Sequence, residues 1–232
     1  MSRFIDSGRK AIYSIKSREI KSTIILISIK ITSILDLLKP QTIWGDRIGL
    51  RSIKAPLKDS AIKTIYQWSQ DEEILRWTAG APAELSLEDF RKQLHRDRWH
   101  PQQNQRLFYI LTQSDELIGK IGLYSINWEK GEGELGISLD KQYWGKQYGR
   151  DAIKLLEWYI FAKTPISRIY LGTFKDNVRA QRAFAACGFR LIGAEDHLNP
   201  ILGKKEEGVI MEIRRQDVIV SDKSSKTIWW NS

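Results

Sequence analysis

The stretch Glu134-Leu-Gly-Ile-Ser-Leu-Asp-Lys-Gln-Tyr-Trp-Gly-Lys-Gln-Tyr-Gly-Arg-Asp-Ala-Ile153 decides the fold. Its start belongs to a strand-like run, Glu132–Leu139. Its end opens a long helix, Gly145–Phe161, with Ile153, Leu155, Leu156, Trp158 and Tyr159 mostly on one side. The loop between them holds Gly145 and Gly149. Backbone N–H groups at a helix start have no intrahelical partners and carry partial positive charge, so such a turn is a ready anion site. Glycine lets that backbone approach a diphosphate, and Lys141, Lys146 and Arg150 add full charges. An ordinary strand-to-helix turn with capping glycines fits the same residues, so the loop alone leaves both readings open. It is not a P-loop, because no Gly-Lys-Ser/Thr follows at the required spacing, and it lacks Gly-x-Gly-x-x-Gly.

Working outward, Arg47–Ala55 reads as a strand. Asp59-Ser60 offers N-cap chemistry for a helix carrying Ile62, Ile65, Tyr66 and Trp68. A short helix follows at Asp71–Trp77, then a loop at Ala79–Glu84, then a helix opened by Ser86 and running to Trp99. Arg106–Gln113 and Leu117–Asn127 read as two strands joined by Ser114-Asp115-Glu116. Beyond the central stretch come a strand at Arg168–Phe174, a helix at Asn177–Cys187 stopped by Gly188, and a last strand near Val209–Ile213. The order predicts a mixed α/β sheet with helices on its faces. The expected organisation is an extension over residues 1–42, one domain over 43–215 and a polar tail over 216–232 that includes Trp229-Trp230.

The chain has 232 residues, 42% hydrophobic and 28% charged, which excludes wholesale disorder, a collagen-like chain and a polytopic membrane protein. A single cysteine, Cys187, excludes an internal disulfide framework and a cysteine-based zinc site. Of the net charge of +9, residues 1–40 carry more than half, with eight Lys/Arg against three Asp/Glu. The basic balance therefore describes the extension more than the domain.

Within the extension, residues 23–38 are strongly apolar, but Lys30 and Asp36 interrupt them well short of the ~20 residues needed to span a bilayer. A small-residue cleavage site does not follow. Ile24, Ile27, Ile31, Ile34 and Leu38 keep helical spacing, while Ile27, Ile29 and Ile31 also alternate as in a strand. The segment is read as packing on the domain or trailing from it, with peripheral contact at a membrane surface as the second reading.

Asn177-Val-Arg-Ala-Gln-Arg-Ala-Phe-Ala-Ala-Cys-Gly-Phe189 follows a strand, as the glycine loop does. The two stretches, in this order and separation, resemble the GNAT superfamily of acyl-CoA-dependent N-acetyltransferases. The family's loop reads Arg/Gln-x-x-Gly-x-Gly/Ala and its later motif Asn-x-x-Ala-x-x-x-Tyr-x-x-x-Gly-Phe. Leu50-Arg51, Trp68 and Asp71-Glu72-Glu73 are similar to the ribosomal-protein-alanine (RimJ/RimL-like) branch, and the resemblance spans roughly residues 47–214.

The resemblance implies a GNAT-type mixed, mostly antiparallel sheet flanked by helices. It implies acetyl-CoA as co-substrate, with no metal. Ile137 and Leu139 stand where the central strand pairs with the pantetheine arm. Gly145, Lys146, Gln147, Tyr148, Gly149 and Arg150 form the pyrophosphate loop, and Asn177 reaches the cofactor from the next helix. Glu134 is the nearest match to the strand glutamate that serves as base, with an exposed strand carboxylate as its plain reading. The implied reaction is direct attack of a primary amine on the thioester. The acceptor is a protein N-terminus or a small molecule such as an amino sugar, polyamine or aminoglycoside.

Two residues depart from the family pattern. Gln147 stands where the family has glycine, and Phe184 where it has the tyrosine that protonates the leaving thiolate. A phenyl ring cannot donate, which leaves Tyr143 and Tyr148 as substitutes. These departures make a catalytically impaired acyl-CoA-binding or scaffolding domain the alternative. A cytoplasmic monomer or homodimer is expected. Nucleic acid is not expected as a partner, since no RNA-reading motif is present. His95, His100 and His197 read as isolated histidines, and Cys187 as packed. Trp77, Trp99 and Trp128 flank the segments that shape the family's acceptor site.

Overall fold

The computed structural model describes residues 42–99 and 102–222. The extension up to residue 41, His100 and the end of the tail, with Trp229-Trp230, lie outside the described residues. Eight strands form one sheet in the order β1-β2-β3-β4-β5-β6-β8-β7. They are β1 (Thr42–Trp44), β2 (Ile48–Ser52), β3 (Arg106–Thr112), β4 (Leu117–Asn127), β5 (Glu132–Leu139), β6 (Arg168–Phe174), β7 (Arg190–Asn199) and β8 (Lys204–Arg214). The helices are α1 (Asp59–Trp68), α2 (Glu72–Thr78), α3 (Leu87–Trp99), α4 (Tyr148–Lys163), α5 (Val178–Ala186) and α6 (Arg215–Asp222). All neighbouring strands run antiparallel except β5 and β6. The mixed, mostly antiparallel sheet is thus the one expected.

Period-2 alternation sends Leu50, Ile110, Ile121 and Leu123 to one face, continued by Leu135, Ile169, Leu171, Met211 and Ile213. Ile153, Leu156 and Ile160 of α4 recur at helical spacing and are fully buried in the same cluster. This is the main core. On another side, α1 and α3 pack through Tyr66 and Phe90, whose rings meet edge-on at 5.4 Å. No helix among the described residues is long and apolar enough to cross a membrane.

Several local expectations shift. The N-cap of α1 is Lys58, without a side-chain cap; Asp59 sits in the first turn and pairs with Lys63 and Arg91. Asp71, by contrast, caps α2 by accepting from the N–H groups of Glu73 and Ile74. Strand β1 was not read from sequence, nor was β7. Where a polar tail begins, α6 forms instead, anchored by Arg215, which donates to the carbonyls of Phe161, Thr164 and Ile166 at 2.6, 2.7 and 2.5 Å.

One polar cluster fixes the end of the sheet where β5 and β6 begin. Glu212 of β8 is buried and accepts from Arg168, Arg190 and Arg214 at 2.7, 2.9 and 3.0 Å, while Arg168 also donates to Glu132 at 2.8 Å. The Arg214 and Arg168 hydrogen bonds hold the Glu212 carboxyl down at about 2 from the ordinary 4.5. A carboxyl depressed on folding contributes stability above its unfolded pKa, and that stability fades as pH falls toward the folded value. Glu212→Gln should therefore lower unfolding stability at pH 7 by about 2–3 kcal/mol, discounted because the arginines are partly exposed. Urea midpoints measured from pH 7 down to pH 2 should show the wild-type excess over the variant shrinking below about pH 4.5. An excess that stays constant with pH would contradict this account.

Candidate active site

Strands β5 and β6 pair in parallel at only three positions, Glu132↔Arg168, Gly133↔Ile169 and Glu134↔Tyr170. Beyond these they part. β5 continues to Leu139 along β4, and β6 continues to Phe174 along β8. On the β6 side, residues 135–139 have no strand partner among the described residues. A cleft of about 1050 Å³ opens there, lined by Ile137 and Leu139 among others. Unpaired backbone donors and acceptors inside a fold require a partner, and an extended amide-bearing ligand supplies one.

The loop after β5 is held from several directions. Asp140 caps the 3₁₀ turn Lys141–Tyr143 by accepting from Gln142 N–H, and its other oxygen accepts from Trp68 Nε1 at 2.9 Å. Trp144 Nε1 donates back to Leu139 O at 2.9 Å. Arg47, just ahead of β2, donates to Lys146 O at 3.0 Å and lies 4.4 Å over the Tyr148 ring. Gly145 takes φ 72°, in the left-handed region where glycine carries no Cβ penalty, and opens into free space. Helix α4 then starts, with the N–H groups of Tyr148, Gly149 and Arg150 in its first turn.

Of the expected loop residues, Gly145, Gln147, Gly149 and Arg150 line the cleft. Lys146 and Tyr148 do not line it. The Lys146 ammonium lies 5.9 Å from the Tyr143 ring centre, and Tyr148 stacks edge-on against Tyr143 under Arg47. Lys141 is committed elsewhere, with its ammonium 2.8 Å from Asp71 and 3.4 Å from Glu73. The cations that sequence reasoning missed are Arg179 and Arg182 of α5, which also line the cleft. Arg179 stacks at 3.7 Å on the Trp144 ring. Their spacing of three residues along one helix was the available signal.

At the vertex sits Glu134, half-buried, opposite Tyr124 on β4 and Tyr170 on β6. Burial, then the Glu134 charge, push the Tyr170 hydroxyl up. Ile74, Trp77, Thr78 and Ala79 of α2 and its C-terminus close the cleft from one side. Asn177 lines the cleft and caps α5 by accepting from Ala180 N–H at 3.2 Å. Phe184 also lines it, packed edge-on against Phe189 at 5.8 Å. His197 of β7 reaches the cleft too, and its buried Nε2 has no hydrogen-bond partner among the described residues. Its ring rests over Gly172 and Gly208, where an added Cβ would stand within 2.8 Å and 2.1 Å of it. Trp99 and Trp128 do not line the cleft: Trp99 is 48% exposed, and Trp128 donates to Gln103 O.

This arrangement agrees with the comparisons to known proteins. Residues 47–190 match the acetyltransferase (GNAT) domain family. The chain belongs to that family. An uncharacterized N-acetyltransferase, p20, of Bacillus licheniformis is 27% identical over 154 residues, covering 66% of this chain and 84% of the relative. The spermidine N(1)-acetyltransferase of Escherichia coli K12 is 24% identical over 169 residues, 73% of this chain and 89% of the relative. The crystal structure of spermidine N-acetyltransferase from Vibrio cholerae in complex with CoA and spermine superposes with TM-score 0.64 at 22% identity, over 74% of this chain and 98% of that one.

The GNAT chain is an acetyl-CoA-dependent N-acetyltransferase acting on amines. The cleft offers groups of the chemistry the co-substrate calls for: a β5 backbone without a β6 partner, a helix N-terminus with Arg150, and the cations Arg179 and Arg182. Among the described residues, no group of three or more His, Cys, Asp or Glu could hold a metal ion. Burial pushes the Cys187 thiol up to about 12, so it is no nucleophile at neutral pH.

Gln147 occupies the left-handed region at φ 69° and has no side-chain cap on α4. That conformation favours glycine, and the glutamine carries its strain. Gln147→Gly should raise stability by about 1 kcal/mol, because glycine adopts this φ without a Cβ clash. Acetyl-CoA affinity by calorimetric titration should rise as well, since a side chain leaves the diphosphate path. Unchanged or weaker binding would show that Gln147 contributes contacts of its own.

Proposed function

We propose that this GNAT enzyme acetylates the primary amine of a small molecule, with Glu134 accepting the proton. The observation that carries this reading is the carboxylate at the last paired position before β5 and β6 part. Bound acetyl-CoA supplies the acetyl group as an activated thioester. The β5 backbone over residues 135–139, together with Gly149, Arg150 and the α5 arginines, would hold it. An amine attacks only as the free base, so its ammonium must first lose a proton. Glu134 takes that proton directly or through one water. Tyr124 faces Glu134 across the strand pair, and burial raises its hydroxyl pKa, so it stays a hydrogen-bond donor at neutral pH.

Departure of the thiolate is less assisted than in the family pattern. Phe184 has no hydroxyl. Tyr148 does not line the cleft; Tyr143 does, but burial and a hydrogen bond to Glu116 push its hydroxyl up to about 12, which makes it a weaker acid. A thiol of pKa about 8.5 leaves tolerably near neutral pH without an acid. Phe184 therefore slows the reaction rather than abolishing it, and the scaffold alternative loses its main support.

The relatives named for spermidine support a small-molecule acceptor. The ribosomal-protein-alanine branch rests on residues the fold uses for other ends. Arg51 pairs with Asp115, Trp68 donates to Asp140, and Asp71 caps α2 and pairs with Lys141.

Thiol release from acetyl-CoA by the full chain, with spermidine, glucosamine and alanine amide as acceptors, tests the reading. Glu134→Gln should cut kcat roughly a hundredfold with acetyl-CoA affinity unchanged. Phe184→Tyr should raise kcat on the order of tenfold, a modest gain because the thiolate already leaves unaided. Full activity in Glu134→Gln would remove the assigned base. No gain in Phe184→Tyr would mean that water or another group already protonates the thiolate.

A further inference from the structure

The sheet face turned away from α4 carries a second charged group in the same cleft. The β4–β5 register pairs Tyr124 with Glu134, Gly122 with Gly136 and Lys120 with Ser138. Residues two apart on a strand share a face, so these rows form one surface, with Glu134 and Ser138 about 13 Å apart at ~3.3 Å per residue. The middle row contributes no side chains, and the Tyr124 ring leans over it: a Cβ on Gly136 would stand 2.7 Å from Tyr124 Cε2. The surface thus has a carboxylate at one end, a flat floor, and an ammonium with a hydroxyl at the other. Lys120, Tyr124, Glu134, Gly136 and Ser138 all line the cleft.

Lys120 is half-buried, and no carboxylate among the described residues forms an ion pair with it. Asp97, exposed on α3, attracts it only from beyond ion-pair distance. Burial pushes the Lys120 pKa down. An ammonium partly withdrawn from water and without an ion pair among the described residues is costly, and an anion arriving in the cleft relieves that cost.

We propose that Lys120, with the Ser138 hydroxyl opposite it, binds an acidic group of the acceptor, so that the substrate is an amine that also carries a carboxylate. The inference rests on reading the cleft as the site of amine acetylation. One ammonium and one hydroxyl match a singly charged, two-oxygen group, whereas phosphate usually gathers more donors. A polyamine would set a second ammonium against Lys120, and like charges in a partly desolvated site repel strongly. The acceptor thereby differs in charge from the spermidine named for the relatives.

The test uses the full chain and three amines of matched length: 6-aminohexanoate, its neutral amide 6-aminohexanamide, and 1,6-diaminohexane. The wild type should favour 6-aminohexanoate over the diamine by about tenfold or more in kcat/KM, expressed mainly in KM. Lys120→Met should erase that preference, Lys120→Arg should keep most of it, and the KM for acetyl-CoA should not move. Hexanoate titrated into the CoA-saturated protein should bind the wild type and not Lys120→Met. The melting temperature of Lys120→Met should not fall, since a half-buried charge without an ion pair among the described residues is removed. Equal use of the three amines, a preference for the diamine, or an acid preference that survives Lys120→Met would each overturn the proposal and leave amine acetylation standing. A uniform loss of activity with the preference ratio intact would mark Lys120 as structural and overturn it as well. No turnover of these amines or of spermidine by the wild type would overturn the amine reading, and this inference with it.

Discussion

The parting of β5 and β6 after Glu134↔Tyr170 is the constraint on which the rest of the structure depends. Two parallel strands side by side normally continue to pair, because unpaired backbone inside a fold is costly. Here each arm is claimed by another neighbour, β5 by β4 and β6 by β8, through the full length of the divergence. The closed end is pinned by Glu212, with Arg168 tying β5, β6 and β8 together through Glu132 and Glu212. Separation at one end and attachment at the other leave a wedge whose inner edge is an unsatisfied strand. The Gly145 loop and the N-terminus of α4 sit at the open end of that wedge, and the Glu134 carboxylate sits at its vertex.

Helix α2 bridges the wedge. Its cap, Asp71, and Glu73 hold Lys141 in the loop after β5, while Arg76 pairs with Asp176 in the turn after β6 at 3.4 Å. Each pair is partly exposed and individually weak. Together they fix the acceptor-side helix to both arms, so the side chains of Ile74 and Trp77 keep their place over the cleft. Lys141, one of three cations that the sequence places around a possible anion loop, is held by Asp71 and Glu73 and acts as a strut. A cation next to a glycine loop carries no label saying which anion it serves, and the carboxylates that capture it lie some seventy residues earlier in the chain.

What was legible in the sequence is what local periodicity and backbone chemistry dictate. The ranges of β5 and β6 emerged without error because apolar alternation and turn residues bound both. Helix α5 was framed by Asn177 and Gly188 for the same reason. Strand β7 was invisible because almost all of it is exposed: Leu191 and Leu198 are 65% and 59% exposed, and no buried stripe marks it. It forms as the outer arm of a hairpin with β8, Asn199 pairing with Lys204, so its stability comes from that pairing and not from a buried stripe of its own. The same limit hid His197, whose ring is seated by Gly172 and Gly208 from two other strands. Lys120 was the exception that could have been noticed. It interrupts Leu117-Ile-Gly-Lys-Ile-Gly-Leu123, an otherwise apolar strand, and a charge there needs a reason.

The central claim is that the unpaired β5 edge receives the co-substrate through its backbone. Amide hydrogen exchange of the full chain, with and without saturating acetyl-CoA, tests it most directly. Protection should rise over residues 135–139 and in the first turn of α4, while Glu132–Glu134, already paired with β6, should change little. Binding of acetyl-CoA with no added protection over residues 135–139 would contradict the account, because the strand that the whole fold leaves open would then be open for some other purpose.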